Sequence, residues 1–373
     1  MVRIDSVNPS LVPGAAGEGR MAEWLSRACE SLGLEVRTQE TAEGRPNVIA
    51  RWPGRGGGRS LLLTGHTDIV GTEGMTIEPF EPRIEDGRMY GRGTMDMKGG
   101  LAAILGAVAA LRAGGFEPAG DLLLGFVTDE EYVSIGSEAL VKTVRADAAI
   151  LTEPTGLEIV IAHRGYAWLS LETRGRAAHG SLYDVGIDAI AHMGRVLNTL
   201  ERMEQEVLPR RKHPLLGRPS VHTSAIEGGL SWAIYPDRCT LKIEHRTLPG
   251  ETGEDVLALW ENALAELSSA DPTFSATARL EFFRPAYEIE RDEPIAAVLG
   301  EAFRAATRKE PVYSGMRAWL DSAILGPAGI PTVIFGPGGE GMHAAVEYVY
   351  LEDVFRCAAV LAGAAALWTG TAT

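Results

Sequence analysis

The sequence predicts an α/β protein: a mixed, mostly parallel sheet with flanking helices, interrupted by an inserted ferredoxin-like α+β domain. Short apolar runs alternate with segments of helical periodicity before residue 165 and again after residue 284. Between them the order becomes strand, helix, strand, strand, helix, strand, which is that of a compact α+β sandwich. At 373 residues the chain also exceeds the size at which a single hydrophobic core stops growing. The expected division is therefore residues 1–164 and 285–373 as one domain and 165–284 as the insertion.

The elements follow in order. Met21, Trp24, Leu25, Ala28 and Leu32 recur at helical spacing and Gly33 stops the run, so 18–32 reads as an amphipathic helix. A strand is expected at 34–38. The apolar runs 47–52 and 60–65 are separated by Pro53 and a glycine cluster, the pattern of two strands joined by a turn. That cluster lacks a following helix and a Lys-Ser/Thr ending, so it is no phosphate loop. A small-residue helix at 101–112, a buried strand at 121–128, a helix at 137–144 and a strand at 148–152 complete the first alternation. The insertion supplies strands at 166–174, 220–227, 239–246 and 276–283 with helices at 186–203 and 253–268. A helix at 294–307, a second opening at 321–325 and a buried strand at 331–335 return to the first pattern.

Composition narrows the function classes. With 45% hydrophobic, 23% charged and 7% aromatic residues the chain is an ordinary globular one. A formal net charge of -15 excludes nucleic acid as a natural partner, since phosphate binding needs a basic face. Cys29, Cys239 and Cys357 are odd in number and far apart, which indicates neither a disulfide framework nor a thiolate metal site. No segment reaches the roughly 18 uninterrupted apolar residues of a membrane helix, and residues 1–20 lack a signal-like apolar core. A cytoplasmic protein without a membrane partner is expected.

In α/β sheets ligands gather beyond the C-terminal ends of strands, and the chemistry-bearing residues fall there. His66 and Asp68 follow the run 60–65; a two-residue period sends both side chains to one side, with Asp68 able to orient the imidazole. Asp96 sits in a glycine-punctuated turn before the helix at 101–112. Asp129, Glu130 and Glu131 follow the strand at 121–128, where like charges this close call for a cation. Glu153 follows the strand at 148–152, and His343 ends a glycine-rich loop after 331–335. Each alone reads equally well as a solvated cap. Five such groups beyond strands of one sheet read as a metal centre.

The segments Gly65-His66-Thr67-Asp68, Gly91-Arg92-Gly93-Thr94-Met95-Asp96-Met97-Lys98-Gly99-Gly100, Asp129-Glu130-Glu131, Glu153-Pro154-Thr155 and Gly336-Pro337-Gly338-Gly339-Glu340-Gly341-Met342-His343 carry a resemblance. Together, in this order, they resemble the dinuclear zinc metallopeptidase and deacylase family of acetylornithine deacetylase, succinyl-diaminopimelate desuccinylase, aminoacylase and glutamate carboxypeptidase. The resemblance runs from about Asn8 to Asp353. It implies a zinc-exopeptidase-like catalytic domain and a lid or dimerisation insertion. It also implies two Zn(II) ions, with Co(II) or Mn(II) as substitutes: His66 and Glu153 on one, Glu131 and His343 on the other, Asp96 bridging, and a cis peptide at Asp96–Met97. Glu130 would be the general base and Asp68 the group that orients His66. His179, in Gly175-Arg176-Ala177-Ala178-His179-Gly180-Ser181, resembles the lid histidine that stabilises an oxyanion, often in a partner subunit's pocket. Arg246 and the amide of Gly338 would meet a substrate carboxylate. Asp321, in a position where relatives often carry an acid, reads as a helix cap.

The implied function is hydrolysis of the amide bond of a small N-acyl amino acid by a dizinc-bound water, with Glu130 taking its proton. A dipeptidase or carboxypeptidase of the same family shares every one of these residues. A dinuclear phosphoesterase would want more basic groups than Arg92 and Lys98, and a non-catalytic metal-binding protein would have no use for Glu130. A homodimer through the insertion is a further implication.

Overall fold

The computed structural model describes residues 1–371. The chain divides into two compact units, one of Met1–Ile161, Ile289–Ser314 and Leu320–Thr373, the other of Ala162–Glu288 and Gly315–Trp319.

In the first unit a mixed sheet has the order Glu35–Ala42, Arg45–Trp52, Leu122–Val127, Leu61–His66, Ala148–Leu151, Thr332–Ile334, Ile159–His163. Its four middle strands, from Leu122–Val127 to Thr332–Ile334, run parallel, and the strands outside them are antiparallel. Parallel strands covered on both faces read as continuous apolar runs. Leu61 and Leu63 accordingly enter the core formed with helices Gly19–Ser31, Gly99–Ala113, Pro294–Thr307 and Leu351–Thr369. Leu62, on the opposite face, packs with Leu140 and Leu325 of helices Ile135–Thr143 and Ser322–Leu325. By length and composition Thr94–Ala113 alone among the described residues would pass as a membrane-crossing segment. Here Leu101, Ala103, Ile104, Ala107 and Val108 are buried in that core instead.

One sequence expectation needs correction. The runs 47–52 and 60–65 form the two expected strands, but a turn does not join them as neighbours: Leu122–Val127 lies between them, antiparallel to the first and parallel to the second. The glycine-rich link is held open by the backbone before that middle strand, with Arg55 N donating to Pro118 O and Gly56 N to Ala119 O. The hairpin instead joins Glu35–Ala42 to Arg45–Trp52. The structure also adds the helix Leu351–Thr369 and a small antiparallel sheet of Gly339–Glu340, Tyr348–Tyr350, Arg88–Tyr90 and Arg83–Glu85. Its strands are two or three residues long, too short for periodicity to reveal.

In the second unit, strands Ser220–Gly228, Arg238–Thr247, Gly165–Arg174 and Ser275–Arg284 lie in that order, all antiparallel. Helices Ala189–Arg202 and Gly253–Ala270 cover one face, and Trp260 of the second helix is fully buried in one core with Leu169, Leu171 and Ile243 of the sheet. The other face is open, which produces the alternating burial along Gly165–Arg174.

One close approach sets the site's geometry. At Gly100, in the first turn of Gly99–Ala113, an added Cβ would stand 2.1 Å from the Thr152 carbonyl oxygen, next to Glu153. Gly100→Ala is therefore expected to cost about 1–3 kcal/mol through overpacking, read from chemical denaturation. Unchanged stability would show that the helix can slide away freely.

Candidate active site

Three parallel strands end side by side: His66 closes Leu61–His66, opposite Val127, and Thr64 stands opposite Leu151. The acids that follow their neighbours, Glu130, Glu131 and Glu153, thus arrive at one sheet edge. Asp96 comes from a tight turn, Thr94–Lys98, that leads into Gly99–Ala113 and holds the cis peptide Asp96–Met97. His343 comes from the loop after Thr332–Ile334, with a left-handed φ of 58°.

These side chains converge. His66 Nε2 lies 3.0 Å from Asp96 Oδ1, 3.8 Å from Glu153 Oε1 and 4.0 Å from Glu130 Oε2. His343 Nε2 lies 3.3 Å from Asp96 Oδ2 and 3.2 Å from Glu131. Asp96 therefore turns one oxygen to each imidazole. Two groups, His66–Glu130–Glu153 and His66–Asp96–Glu131, each offer ligand atoms within 4.8 Å of one another.

The electrostatics of the cluster call for a cation. Burial, then the Glu153 charge, pushes Glu130 well above the usual carboxylate range. Burial does the same to Glu153, and lifts Glu131 to about 7. Burial would also raise Asp96, but hydrogen bonds with His343 and His66 outweigh it and hold the carboxyl low. His66 is pulled down by burial, yet the carboxylates of Glu153, Asp68 and Asp96 win and leave it well above its ordinary value. Hydrogen bonds to Asp96 and Glu131 take His343 up to about 10. Glu153 Oε1 is buried without a hydrogen-bond partner. Crowded carboxylates, an unpartnered buried oxygen and a donor set of nitrogen and oxygen without thiolate fit a borderline divalent cation such as Zn(II).

Asp68 faces the His66 ring with both its main chain and its carboxylate. The Nδ1 of His66 hydrogen-bonds the Asp68 main-chain oxygen at 2.9 Å, whereas the Asp68 carboxylate stands 3.5 Å away. Its carboxylate is drawn off by other donors: Asn8 Nδ2 at 2.8 Å and the amides of Glu130 and Glu131 at 3.2 Å each. Asp68 thus contacts the ring through its backbone oxygen and, at longer range, its carboxylate, and the same carboxylate holds the acidic turn. Asn8 also donates to Asp129, which pairs with Arg45 at 2.8 Å, and Arg45 in turn pairs with buried Glu18. Sequence reasoning missed Asn8, Arg45, Glu18 and Glu347. The helix-cap reading of Asp321 also fails, because its carboxylate accepts from Ser137 Oγ at 2.5 Å and caps nothing. Burial pushes Asp321 up to about 6.

The remaining expected residues lie elsewhere or are engaged. The amide of Gly338 donates to Asp353 Oδ2 at 3.2 Å and its carbonyl accepts from Tyr350 N, so no donor is left there for a substrate. His179 and Arg246 belong to the second unit. The exposed His179 has Nδ1 2.9 Å from Ser181 Oγ, and Arg246 Nε donates to Glu244 at 2.7 Å beside the Tyr166 ring.

Comparison with known proteins extends this geometry. Residues 62–367 match the model of peptidase family M20/M25/M40. The chain is 34% identical over 360 residues to an acetylornithine deacetylase of Myxococcus xanthus, covering 94% of this chain and 92% of the relative. It is 28% identical to an N-formyl-4-amino-5-aminomethyl-2-methylpyrimidine deformylase of Bacillus subtilis, covering 92% of this chain and 87% of that one. The fold resembles the YXEP protein of Bacillus subtilis, a dinuclear metal-binding peptidase of the M20 family. The TM-score is 0.76 at 17% identity, over 100% of this chain and 96% of that one.

Proposed function

The chain belongs to peptidase family M20/M25/M40 and is a hydrolase of amide bonds, and from that premise we propose that it removes the acyl group of a small N-acyl amino acid. The observation that carries the reading is Asp96 set between His66 and His343, with Glu130, Glu131 and Glu153 around them. His66, Glu153 and Asp96 would hold one Zn(II); Glu131, His343 and Asp96 would hold the second. Bound there, the ions would polarise the amide carbonyl and acidify water. Glu130 takes the proton of the attacking water and delivers it to the departing nitrogen, so the acid and amine leave without a covalent intermediate. Asp68 keeps the Glu130–Glu131 turn aimed at the amide through its two amide contacts.

The catalytic work is assigned to the first unit and a lid and dimerisation role to the second, with His179 stabilising the oxyanion and Arg246 meeting a substrate carboxylate. Support for a homodimer comes from the exposed edge strand Ser220–Gly228 and from Leu230 and Trp232, both almost fully exposed. Three buried, unpaired cysteines support a cytoplasmic location.

Deacylation is preferred over peptide cleavage because both sequence relatives named above are described as removing a small acyl group. The test is a panel of N-acetyl, N-formyl and N-succinyl amino acids against dipeptides, run on protein of measured metal content. One acyl class is expected to lead in kcat/KM by about 10²-fold, the discrimination a matched pocket supplies. Dipeptides in the lead would replace the deacylase by a dipeptidase, and full activity after exhaustive chelation would remove the metal.

A further inference from the structure

Glu347 stands four residues beyond His343 and immediately before Tyr348–Tyr350, the strand that pairs antiparallel with Arg88–Tyr90. Its side chain is 1% exposed and takes hydrogen bonds from a single turn. Oε2 accepts from Arg92 Nη1 and from Gly93 N, each at 2.9 Å. Oε1 accepts from Met95 N at 2.9 Å and from Asp96 N at 3.2 Å. Gly91 and Gly93 adopt left-handed φ values of 147° and 75°, which folds the turn so that its amides converge on one anion. Two more bonds tie the same segments, Gly91 N to Glu347 O at 3.1 Å and Arg92 Nη2 to Ala344 O at 3.2 Å.

A carboxylate has about four acceptor sites, and here four donors occupy them. Glu347 therefore has no capacity left to bind a cation or shuttle a proton. What it does fix is distance: its backbone belongs to the segment bearing His343, and its side chain grips the turn bearing Asp96. Those two side chains meet at 3.3 Å between His343 Nε2 and Asp96 Oδ2. The guanidinium of Arg92, 2.9 Å away and buried, compensates the charge that makes the grip strong.

We propose that Glu347 is a positioning residue which, with Arg92, holds Asp96 and His343 at the separation needed to share the second cation. This rests on the dinuclear reading of the site.

The test is titration of ion-free protein with zinc chloride in competition with a chromophoric chelator, for the wild type, Glu347→Gln and Glu347→Asp. Glutamine turns an NH2 group toward backbone donors; aspartate keeps the charge but falls about 1.5 Å short of the turn. The wild type is expected to take two ions, which tests the dinuclear reading by itself. Both variants are expected to bind at least one of the two ions about 10–100-fold more weakly than the wild type, the ion that would sit between Asp96 and His343 losing most. In the same variants kcat at limiting zinc falls with KM unchanged, and excess zinc restores it, a rescue that a purely structural role would not give. Wild-type stoichiometry and affinity in a folded variant would overturn the proposal. Failure of Glu347→Asp to fold would overturn it too, by assigning the clamp to folding rather than to ligand spacing.

Discussion

Replacing Glu130 by glutamine is expected to lower kcat about 10³-fold, with KM within roughly threefold of the wild type and both ions retained. The amide side chain has the shape of the carboxylate but cannot accept the water proton. Glu130 suits the role by position: it is largely buried, and its Oε2 lies 4.0 Å from His66 Nε2, beside the expected ligands. Its backbone is fixed by the Asp68 carboxylate at 3.2 Å, so the substitution leaves the turn in place. The competing possibility is contained in the geometry itself, because Glu130 shares a possible ligand group with His66 and Glu153. Metal content separates the two. A variant that loses an ion along with activity identifies Glu130 as a ligand, and one that keeps kcat within tenfold removes it from the reaction.

The sequence was most informative where function and local pattern coincide. His66, Glu130, Glu131 and Glu153 each follow a run of buried strand residues, and a parallel sheet brings such ends together by construction. The groups that hold those residues were not legible, since each acts across a long stretch of chain. Asn8 reaches Asp68 over 60 residues and Asp129 over 121, and Arg92 reaches Glu347 over 255. Nothing in the local pattern around Asn8 or Glu347 distinguishes a buried anchor from a solvated polar residue. Asp321 was misread for the same reason: the turn suited a helix cap, while its partner, Ser137, is 184 residues away. The turn expected between 47–52 and 60–65 has a related history, because adjacency along the chain does not determine which strand is inserted between two others.

Stripping the protein of divalent ions is expected to abolish hydrolysis and to lower Tm by roughly 10 °C near neutral pH, if each ion binds at about 10³ times its Kd. The effect has a pH signature. In the ion-free fold Glu131 titrates at about 7 against an ordinary 4.5, so its contribution to stability is full below 4.5 and lost as pH rises through 7. Glu130 and Glu153 are raised by burial in the same sense. His343, raised from 6.5 to about 10 by its bonds to Asp96 and Glu131, contributes stability below 6.5 that is lost as pH climbs through 10. All four groups act in one direction; Lys98, lowered to about 7, and His163 and His245, lowered to about 4, act in the other but do so with or without ions, so Tm of the stripped protein should fall relative to that of the loaded protein between pH 5 and pH 9. Bound cations replace those protons, so the loaded protein should lack this part of the pH dependence over the same range. Zinc binding at pH 7 should accordingly release at least about two protons, measurable by calorimetry in buffers of different ionisation enthalpy. A Tm difference between stripped and loaded protein that does not depend on pH, or ion binding without proton release, would mean that these carboxylates and imidazoles do not form the metal centre.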